Sequence, residues 1–314
     1  MTIKLGVIMD PLHKIHYKKD STLAMLWEAE RRGWEIYYLE QQDVYFSENK
    51  VLGRTRQLHV FQDPEAWYTL SEPETLPLAQ LNIILMRKDP PFNMEYIYTT
   101  YLLELAEQTG VRIYNKPQSI RDCNEKFYTT YFPQCCPPTL ITCDLTLLRN
   151  FIKEHKKIII KPLDTMGGSG IFYLKEDDIN ISVALELLTQ QGARFIMAQM
   201  FIPEIALGDK RIILINGKPV AYALARIPKQ GELRGNLVAG ARGVAQALTT
   251  RDQWICEQVG PTLREKGLMF VGLDVIGNYL TEINVTSPTG IRELENAQDL
   301  NISATLLDEI EASL

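Results

Sequence analysis

The sequence predicts an α/β amino-terminal unit on an open parallel sheet, followed by an α+β unit in which hairpins and helices alternate. Three observations predict it. Short apolar runs alternate with amphipathic helical stretches up to Asn115-Lys116-Pro117, where the character changes. Beyond that point, strand-like runs are joined by tight turns such as Asn216-Gly217 and Gly277-Asn278. A chain of 314 residues, 46% apolar and 23% charged, also carries enough core for two or three such units.

In order along the chain, Ile3–Met9 reads as a buried strand ending at Asp10-Pro11. Ser21–Arg32 reads as an amphipathic helix stopped by Gly33, and Glu35–Leu39 as a second strand. Ile83–Met86 is a further apolar run, and Glu95–Gln108 a helix closed by Gly110. From Lys126 onward the expected strands are Ile158–Lys161, Ile171–Leu174, Arg194–Met200, Arg211–Ile215, Pro219–Arg226, Met269–Ile276 and Tyr279–Val285. Helices at Leu145–Lys156, Ser182–Gln190 and Asp252–Lys266 separate them.

Composition excludes several classes. Thirty-three Lys and Arg against 39 Asp and Glu give a net charge of −6, without the basic stripe that phosphate-backbone binding requires, so no nucleic-acid partner is expected. No apolar run reaches membrane-span length, and the first ten residues do not read as a signal peptide, so no membrane partner and a cytoplasmic location are expected. Five cysteines without a Cys-x-x-Cys spacing read as reduced thiols. His13 and His16 lack a third ligand at helical spacing and read as surface residues. A G-x-G-x-x-G after the first strand and a Walker-type loop are both missing.

Three segments carry chemistry. In Ile158–Ile171 a lysine, Lys161, closes a buried strand before a loop holding Gly167, Gly168 and Gly170. Such a loop can turn its backbone N–H groups onto phosphate oxygens beside an ammonium; the alternative is a flexible hairpin with a snorkelling lysine. In Gly272–Val285 two strands flank a turn near Asn278, so period-two alternation sets Asp274, Glu282 and Asn284 on one face. Leu273, Val275, Ile283 and Val285 then fall on the other face, as core. Three converging oxygen donors suit Mg²⁺; a solvated hairpin face is the alternative. The third segment, Ile227–Gly243, has four glycines and no periodic apolar face, and reads as a lid. Arg211, Arg226, Arg234, Arg242 and Arg292 form a candidate guanidinium cluster for carboxylates or phosphates, although such residues are more often surface charges.

Together these segments describe activation of a carboxylate by ATP, and here the residues become familiar. The chain resembles the bacterial glutathione synthetases of the ATP-grasp superfamily along almost its whole length. The resemblance is carried by Leu5–Pro11, Met86–Phe92, Asn115–Asp122, Lys161–Asp164, Gly208–Arg211, Leu224–Pro228 and Glu282–Thr289. It implies an amino-terminal substrate-binding domain over 1–122, an ATP-grasp small subdomain over 123–202, and a carboxy-terminal subdomain over 203–314 bearing the lid 227–243 and the metal site.

The resemblance also implies site residues. Lys126 and Lys161, with Gly167 and Gly168, match phosphate contacts. Gln199, Met200, Phe201 and Ile202 match the strand bordering adenine, and Asp209 the ribose contact. Asp274, Glu282 and Asn284 match ligands of Mg²⁺, with Mn²⁺ as the substitute ion. Arg211, Arg226 and Arg234 match the catalytic arginines, Arg211 also touching ATP. Arg226, Arg242, Ser287, Pro288 and Thr289 match substrate contacts. The implied reaction joins γ-L-glutamyl-L-cysteine to glycine through an acyl phosphate, giving glutathione, ADP and phosphate, in a homotetramer. Two other readings are a grasp ligase for different amino acids and a grasp-fold protein that binds ATP without catalysis. Ala241 stands where the family often has glycine, which bears on how fast the lid would open.

Overall fold

The computed structural model describes residues 2–229 and 240–314. Its first part runs β1 (Lys4–Ile8), α1 (Ser21–Arg31), β2 (Glu35–Leu39), β3 (Val44–Ser47), β4 (Lys50–Val60), β5 (Tyr68–Leu70), β6 (Glu74–Pro77), β7 (Ile83–Met86), α2 (Met94–Glu107), β8 (Arg112–Tyr114) and α3 (Pro117–Asp122). Strands β2, β1, β7 and β8 pair in parallel, in that order, and are buried on both faces as parallel strands require. Beyond β2 the sheet continues antiparallel through β4, which also pairs β3, β5 and β6. This extension carries fewer apolar residues per strand, and its long β4 alternates buried and exposed positions.

Two smaller sheets follow. The first contains β9 (Thr139–Thr142), β10 (Lys157–Pro162), β11 (Phe172–Lys175) and β12 (Ile196–Met200) in the order β11-β10-β12-β9, all antiparallel. Helices α4 (Leu145–His155) and α5 (Ile181–Thr189) cover one face through Leu148, Ile152, Leu185 and Leu188. The second comprises β13 (Asp209–Ile215), β14 (Lys218–Pro219), β15 (Tyr222–Ile227), β16 (Arg242–Ala247), β17 (Phe270–Ile276) and β18 (Tyr279–Asn284), with main order β16-β15-β13-β17-β18 among the described residues. The expected strand Pro219–Arg226 is therefore split at Val220 and Ala221.

That second sheet is held from both sides. Helix α6 (Thr250–Glu265), with a Thr249/Asp252 capping box, packs Ile255, Val259 and Leu263 on one face. On the other, α7 (Ile291–Ala297) and α8 (Ile302–Ala312) join it to α1 in a single core containing Leu23, Leu26, Ile213, Phe270, Leu306 and Leu307. The chain's last helix thus ties the carboxy-terminal sheet to the amino-terminal unit. A buried amide adds a polar tie. Asn115 donates from Nδ2 to the carbonyls of Phe270 and Val285, both at 2.8 Å, and accepts from the Phe270 N–H at 2.8 Å.

Asn115→Ala leaves those backbone groups buried and unpaired, at about 1–3 kcal/mol each. Urea denaturation of this variant is expected to give a stability loss of about 3 kcal/mol or more; an unchanged midpoint would mean that the amide is not the tie described.

Candidate active site

A cavity of about 540 Å³ opens between the four-stranded sheet and the carboxy-terminal sheet. Its size suits a nucleotide-class ligand. One wall is apolar, formed by Ile159, Tyr173, Phe201, Ile202 and Ile276, with Gln199 and Met200 alongside; the other wall is charged, formed by Lys126, Lys161, Asp209, Asp274 and Glu282. The loop 165–170 bounds it.

Strand register builds the charged wall. Residues directly opposite in an antiparallel pair share a face with Cβ atoms about 5 Å apart. Glu282 lies opposite Asp274, and Asp274 opposite Arg211, so one row crosses β18, β17 and β13. Beside it Asp209 lies opposite Arg226. Arg211 grips Asp274 with two hydrogen bonds, Nε to Oδ1 at 2.5 Å and Nη2 to Oδ2 at 3.0 Å. Arg226 adds a contact to Asp274 Oδ2 at 2.9 Å and donates to Asp209 Oδ2 at 2.5 Å. Gly272 makes this possible: a Cβ there would stand 2.7 Å from Arg211 Cδ and 3.1 Å from Pro288 Cβ.

Burial sets the charges. It opposes ionisation of Asp274, but the flanking Arg211 and Arg226 outweigh it and hold the carboxyl well below the usual range. Asp209 is pushed up to about 6, chiefly by burial that Arg226 offsets only in part. Its Oδ1 is buried with no partner among the described residues, an unused acceptor in the cavity wall. Lys161 is likewise buried and its ammonium pKa is lowered, while Glu282 pulls the other way. Lys161 Nζ donates to the Thr281 carbonyl at 3.3 Å. Lys126 Nζ lies 3.6 Å from Glu282 Oε1 and donates to the Thr165 carbonyl, so one ammonium links the metal-candidate hairpin to the glycine loop.

The loop owes its shape to glycine. Gly167, Gly168 and Gly170 have φ of 65°, 79° and 71°, values that side-chain-bearing residues rarely adopt. The Thr165 hydroxyl donates to the Ser169 carbonyl at 3.0 Å, closing the turn.

The cavity brings together Lys126, Lys161, Gly167, Gly168, Gln199, Met200, Phe201, Ile202, Asp209, Asp274 and Glu282. Arg211 and Arg226 are buried against its acidic wall. Asn284, two residues from Glu282 on the same face, donates from Nδ2 to the Gly272 carbonyl at 3.1 Å. Ser287, Pro288 and Thr289 do not line the cavity. Instead the Ser287 hydroxyl donates to the Arg87 carbonyl at 3.2 Å, the Pro288 carbonyl accepts from Arg87 Nη2 at 2.9 Å, and the Thr289 carbonyl accepts from Arg211 Nη1 at 3.4 Å.

Three further expectations concern Arg242, the segment 227–243 and Arg292. Arg242 is exposed on the edge strand β16, paired opposite Ile227, and lies outside the cavity. Both ends of the segment read as a lid are strand, because Ile227 and Arg242–Gly243 pair with each other's strands. Its interior, 230–239 with Arg234, lies outside the described residues. Arg292 does not join the guanidinium cluster; it stacks 4.3 Å from the Trp27 ring, on the α1 side.

Sequence reasoning missed Glu125. Its Oε1 accepts from the Val285 N–H at 2.9 Å, the Thr286 N–H at 3.1 Å and the Thr286 hydroxyl at 2.8 Å, fixing the chain just beyond Asn284. Nothing in local pattern marks this residue, because its partners are 160 positions away. Asn115 and Arg87 were legible only as parts of the quoted segments.

A glycine loop and a lysine on one antiparallel sheet, facing a carboxylate hairpin on a second, make up the ATP-grasp fold, which here follows the amino-terminal α/β unit. Solved structures agree in shape: D-cycloserine synthetase DcsG has a TM-score of 0.67 at 12% identity, covering 98% of this chain and 99% of its own. The ATP-grasp ligase PsnB with a minimal precursor has 0.64 at 18%, covering 100% and 99%. Residues 3–121 match the family described as prokaryotic glutathione synthetase, N-terminal domain, and residues 125–299 its ATP-grasp domain. The glutathione synthetase of Pseudomonas aeruginosa is 58% identical over 100% of this chain and 99% of its own, and that of Coxiella burnetii 55% identical over 99% and 97%. The chain belongs to the prokaryotic glutathione synthetase family.

Two measurements check the geometry. Gly272→Ala should displace Arg211 and break its two bonds to Asp274, lowering stability by about 1.5–3 kcal/mol and depressing ATP turnover; wild-type stability and turnover would mean that the close approach is not needed. Thiol labelling of the native protein near neutral pH should begin at the half-buried Cys143. Cys123 and Cys256, whose thiols burial pushes up to about 11 and about 12, should react only on unfolding. Early labelling of either would contradict their placement.

Proposed function

We propose that the protein ligates γ-L-glutamyl-L-cysteine to glycine at the expense of ATP, in the cavity between the two antiparallel sheets. The observation that carries this reading is the row Glu282–Asp274–Arg211 beside Lys126 and Lys161: charge that a triphosphate and a carboxylate can share, in a chain of glutathione synthetase family over its full length.

In this reading adenine lies along Gln199–Ile202 against Tyr173 and Ile276, and the free Asp209 Oδ1 accepts a ribose hydroxyl. Lys126, Lys161 and the N–H groups of Gly167 and Gly168 hold the phosphates. The cysteinyl carboxylate attacks the terminal phosphorus, ADP leaves, and the amine of glycine attacks the acyl phosphate with loss of a proton and release of phosphate. Such a transfer asks the protein for positioning and charge stabilisation rather than for a nucleophile. Arg211 and Arg226, already oriented by Asp274, supply fixed positive charge where negative charge builds. We assign Arg234 to the same role on family resemblance. The γ-glutamylcysteine binds between the amino-terminal unit and Ser287–Thr289, with Arg226 at the reacting carboxylate. Arg242, given its exposure, would reach substrate only after movement of β16.

Among the described residues no three His, Cys, Asp or Glu side chains cluster as a metal cage. A cation would therefore rely on Asp274, Glu282, the Asn284 amide oxygen and the nucleotide's phosphates. The donors fit: all are hard oxygens, Glu282 faces the cavity, and the Asn284 Nδ2–Gly272 bond leaves Oδ1 as the free end. Bound Mg²⁺, or Mn²⁺, would neutralise phosphate charge. Division into 1–122, 123–202 and 203–314, a cytoplasmic location and a homotetramer complete the proposal. No helix among the described residues is long and apolar enough to cross a membrane.

A coupled ADP-release assay tests the reading. ADP should form steadily only with both γ-glutamylcysteine and glycine; release indifferent to γ-glutamylcysteine would overturn it in favour of another grasp ligase. Glu282→Gln, which keeps shape and removes one charge, should fold normally and lower turnover roughly a hundredfold or more. Near-normal turnover at low Mg²⁺ would remove Glu282 from the ligand set.

A further inference from the structure

Beside the nucleotide cavity lies a second, much smaller pocket that the steps above leave unused. Its volume is about 30 Å³, and its lining includes Phe92, Glu125, Lys126, Thr165, Met166 and Thr286. Lys126, Thr165 and Met166 also line the nucleotide cavity, and Thr286 directly precedes Ser287–Thr289. The pocket therefore borders both the wall assigned to the phosphates and the segment assigned to the dipeptide. A water occupies ~10–15 Å³ by the same measure, so there is room for about two or three waters. Among amino acids only the smallest has a comparable bulk.

Glu125 is the group that gives this pocket its chemistry. The hydrogen bonds it accepts from the Val285 N–H, the Thr286 N–H and the Thr286 hydroxyl all end on Oε1, leaving Oε2 as the atom free for the pocket. Burial raises the pKa of this carboxyl and Glu282 adds to the rise, while the three donors oppose it. A buried carboxylate in that balance is stabilised by an arriving cation. Of the other charged groups in the lining, Asp164 is already held by Arg194. Lys126 places its ammonium between Glu282 and the Thr165 carbonyl, on the side shared with the nucleotide cavity. One carboxylate and one ammonium thus border a small space whose remaining walls include the apolar Pro90, Phe92, Ile120 and Leu163. That is the complement of a zwitterion without a side chain.

We propose that this pocket receives glycine, with Glu125 as a further catalytic residue: Oε2 takes the ammonium, and Lys126 faces the carboxylate. The inference rests on the ligase reading above and names where its second substrate sits. Glycine arrives protonated, and an ammonium has no lone pair with which to attack. Oε2 accepts one N–H proton, and the freed amine adds to the carbonyl carbon of the acyl phosphate. The C–O bond to phosphate then breaks, the nitrogen's second proton leaves with the phosphate as hydrogen phosphate, and Glu125 returns its proton to solvent. Phe92 and its apolar neighbours set the size limit, which disfavours alanine.

Hydroxylamine separates this role from folding and from the ligase reading. It is neutral near neutral pH, so it traps an acyl phosphate as the hydroxamate without first giving a proton to a base. Glu125→Gln should lower kcat/KM for glycine by about a hundredfold or more. Hydroxamate formation from γ-glutamylcysteine, ATP and hydroxylamine should stay close to wild type in the same variant. An equal loss of both reactions would make Glu125 a structural tie alone, and an unchanged glycine reaction would remove it from the site; either result overturns the proposal. A wild-type protein that forms no hydroxamate would overturn the ligase reading, and the proposal with it. Should Glu125→Gln fail to fold, Phe92→Ala decides. Widening the pocket should cut the preference for glycine over alanine about tenfold or more, and an unchanged preference would overturn the assignment.

Discussion

Asp274 and the two guanidinium groups that hold it set the rest of the site. A carboxylate this deeply buried is costly unless paired and hydrogen-bonded. Here Arg211 and Arg226 both reach it, from the two strands β13 and β15, so three strands must be in register before the charge is satisfied. The register in turn places Glu282 across the hairpin from Asp274 and leaves Asp209 with one free oxygen in the cavity wall. Positive and negative groups are thus fixed before any ligand arrives, and little reorganisation remains for the chemistry.

The amino-terminal unit depends on the same sheet. Arg87, fully buried, donates to Thr22 at 3.1 Å and to the Pro288 carbonyl at 2.9 Å, and lies 5.4 Å from the Phe270 ring. Asn115 binds Phe270 and Val285. The segment Val285–Thr289, which leaves the carboxylate hairpin, is therefore clamped by Arg87, Asn115, Glu125 and Arg211 together. A ligand seated against the amino-terminal unit would be held at a fixed distance from Lys126 and Lys161 in the cavity wall. Proximity of this kind supplies much of the rate in ligation, since both reactants are bound in a defined geometry.

Much of this was legible in the sequence. The alternation of Leu273, Val275, Ile283 and Val285 with Asp274, Glu282 and Asn284 is a local property, and both faces came out as read: the four apolar residues are fully buried. The strands at Glu35–Leu39 and Ile83–Met86 were equally plain, because parallel buried strands read as unbroken apolar runs. The antiparallel extension β3–β6 was not legible, since its strands are short or half exposed and lack the same apolar density. Arg292 was misread because spacing says nothing about which side of a sheet an arginine leaves; it follows Gly290 into α7 and turns to Trp27. Long-range polar ties such as Glu125 to Val285 leave no periodic trace at all.

Asp274 and Arg211 form one prearranged unit in the ligand-free protein. A double-mutant cycle in urea denaturation, with Arg211→Ala, Asp274→Ala and the pair, measures it without substrate. The expected coupling is at least about 1.5 kcal/mol, with the double variant more stable than the single variant that strands the buried carboxylate. Additivity within about 0.5 kcal/mol would contradict it.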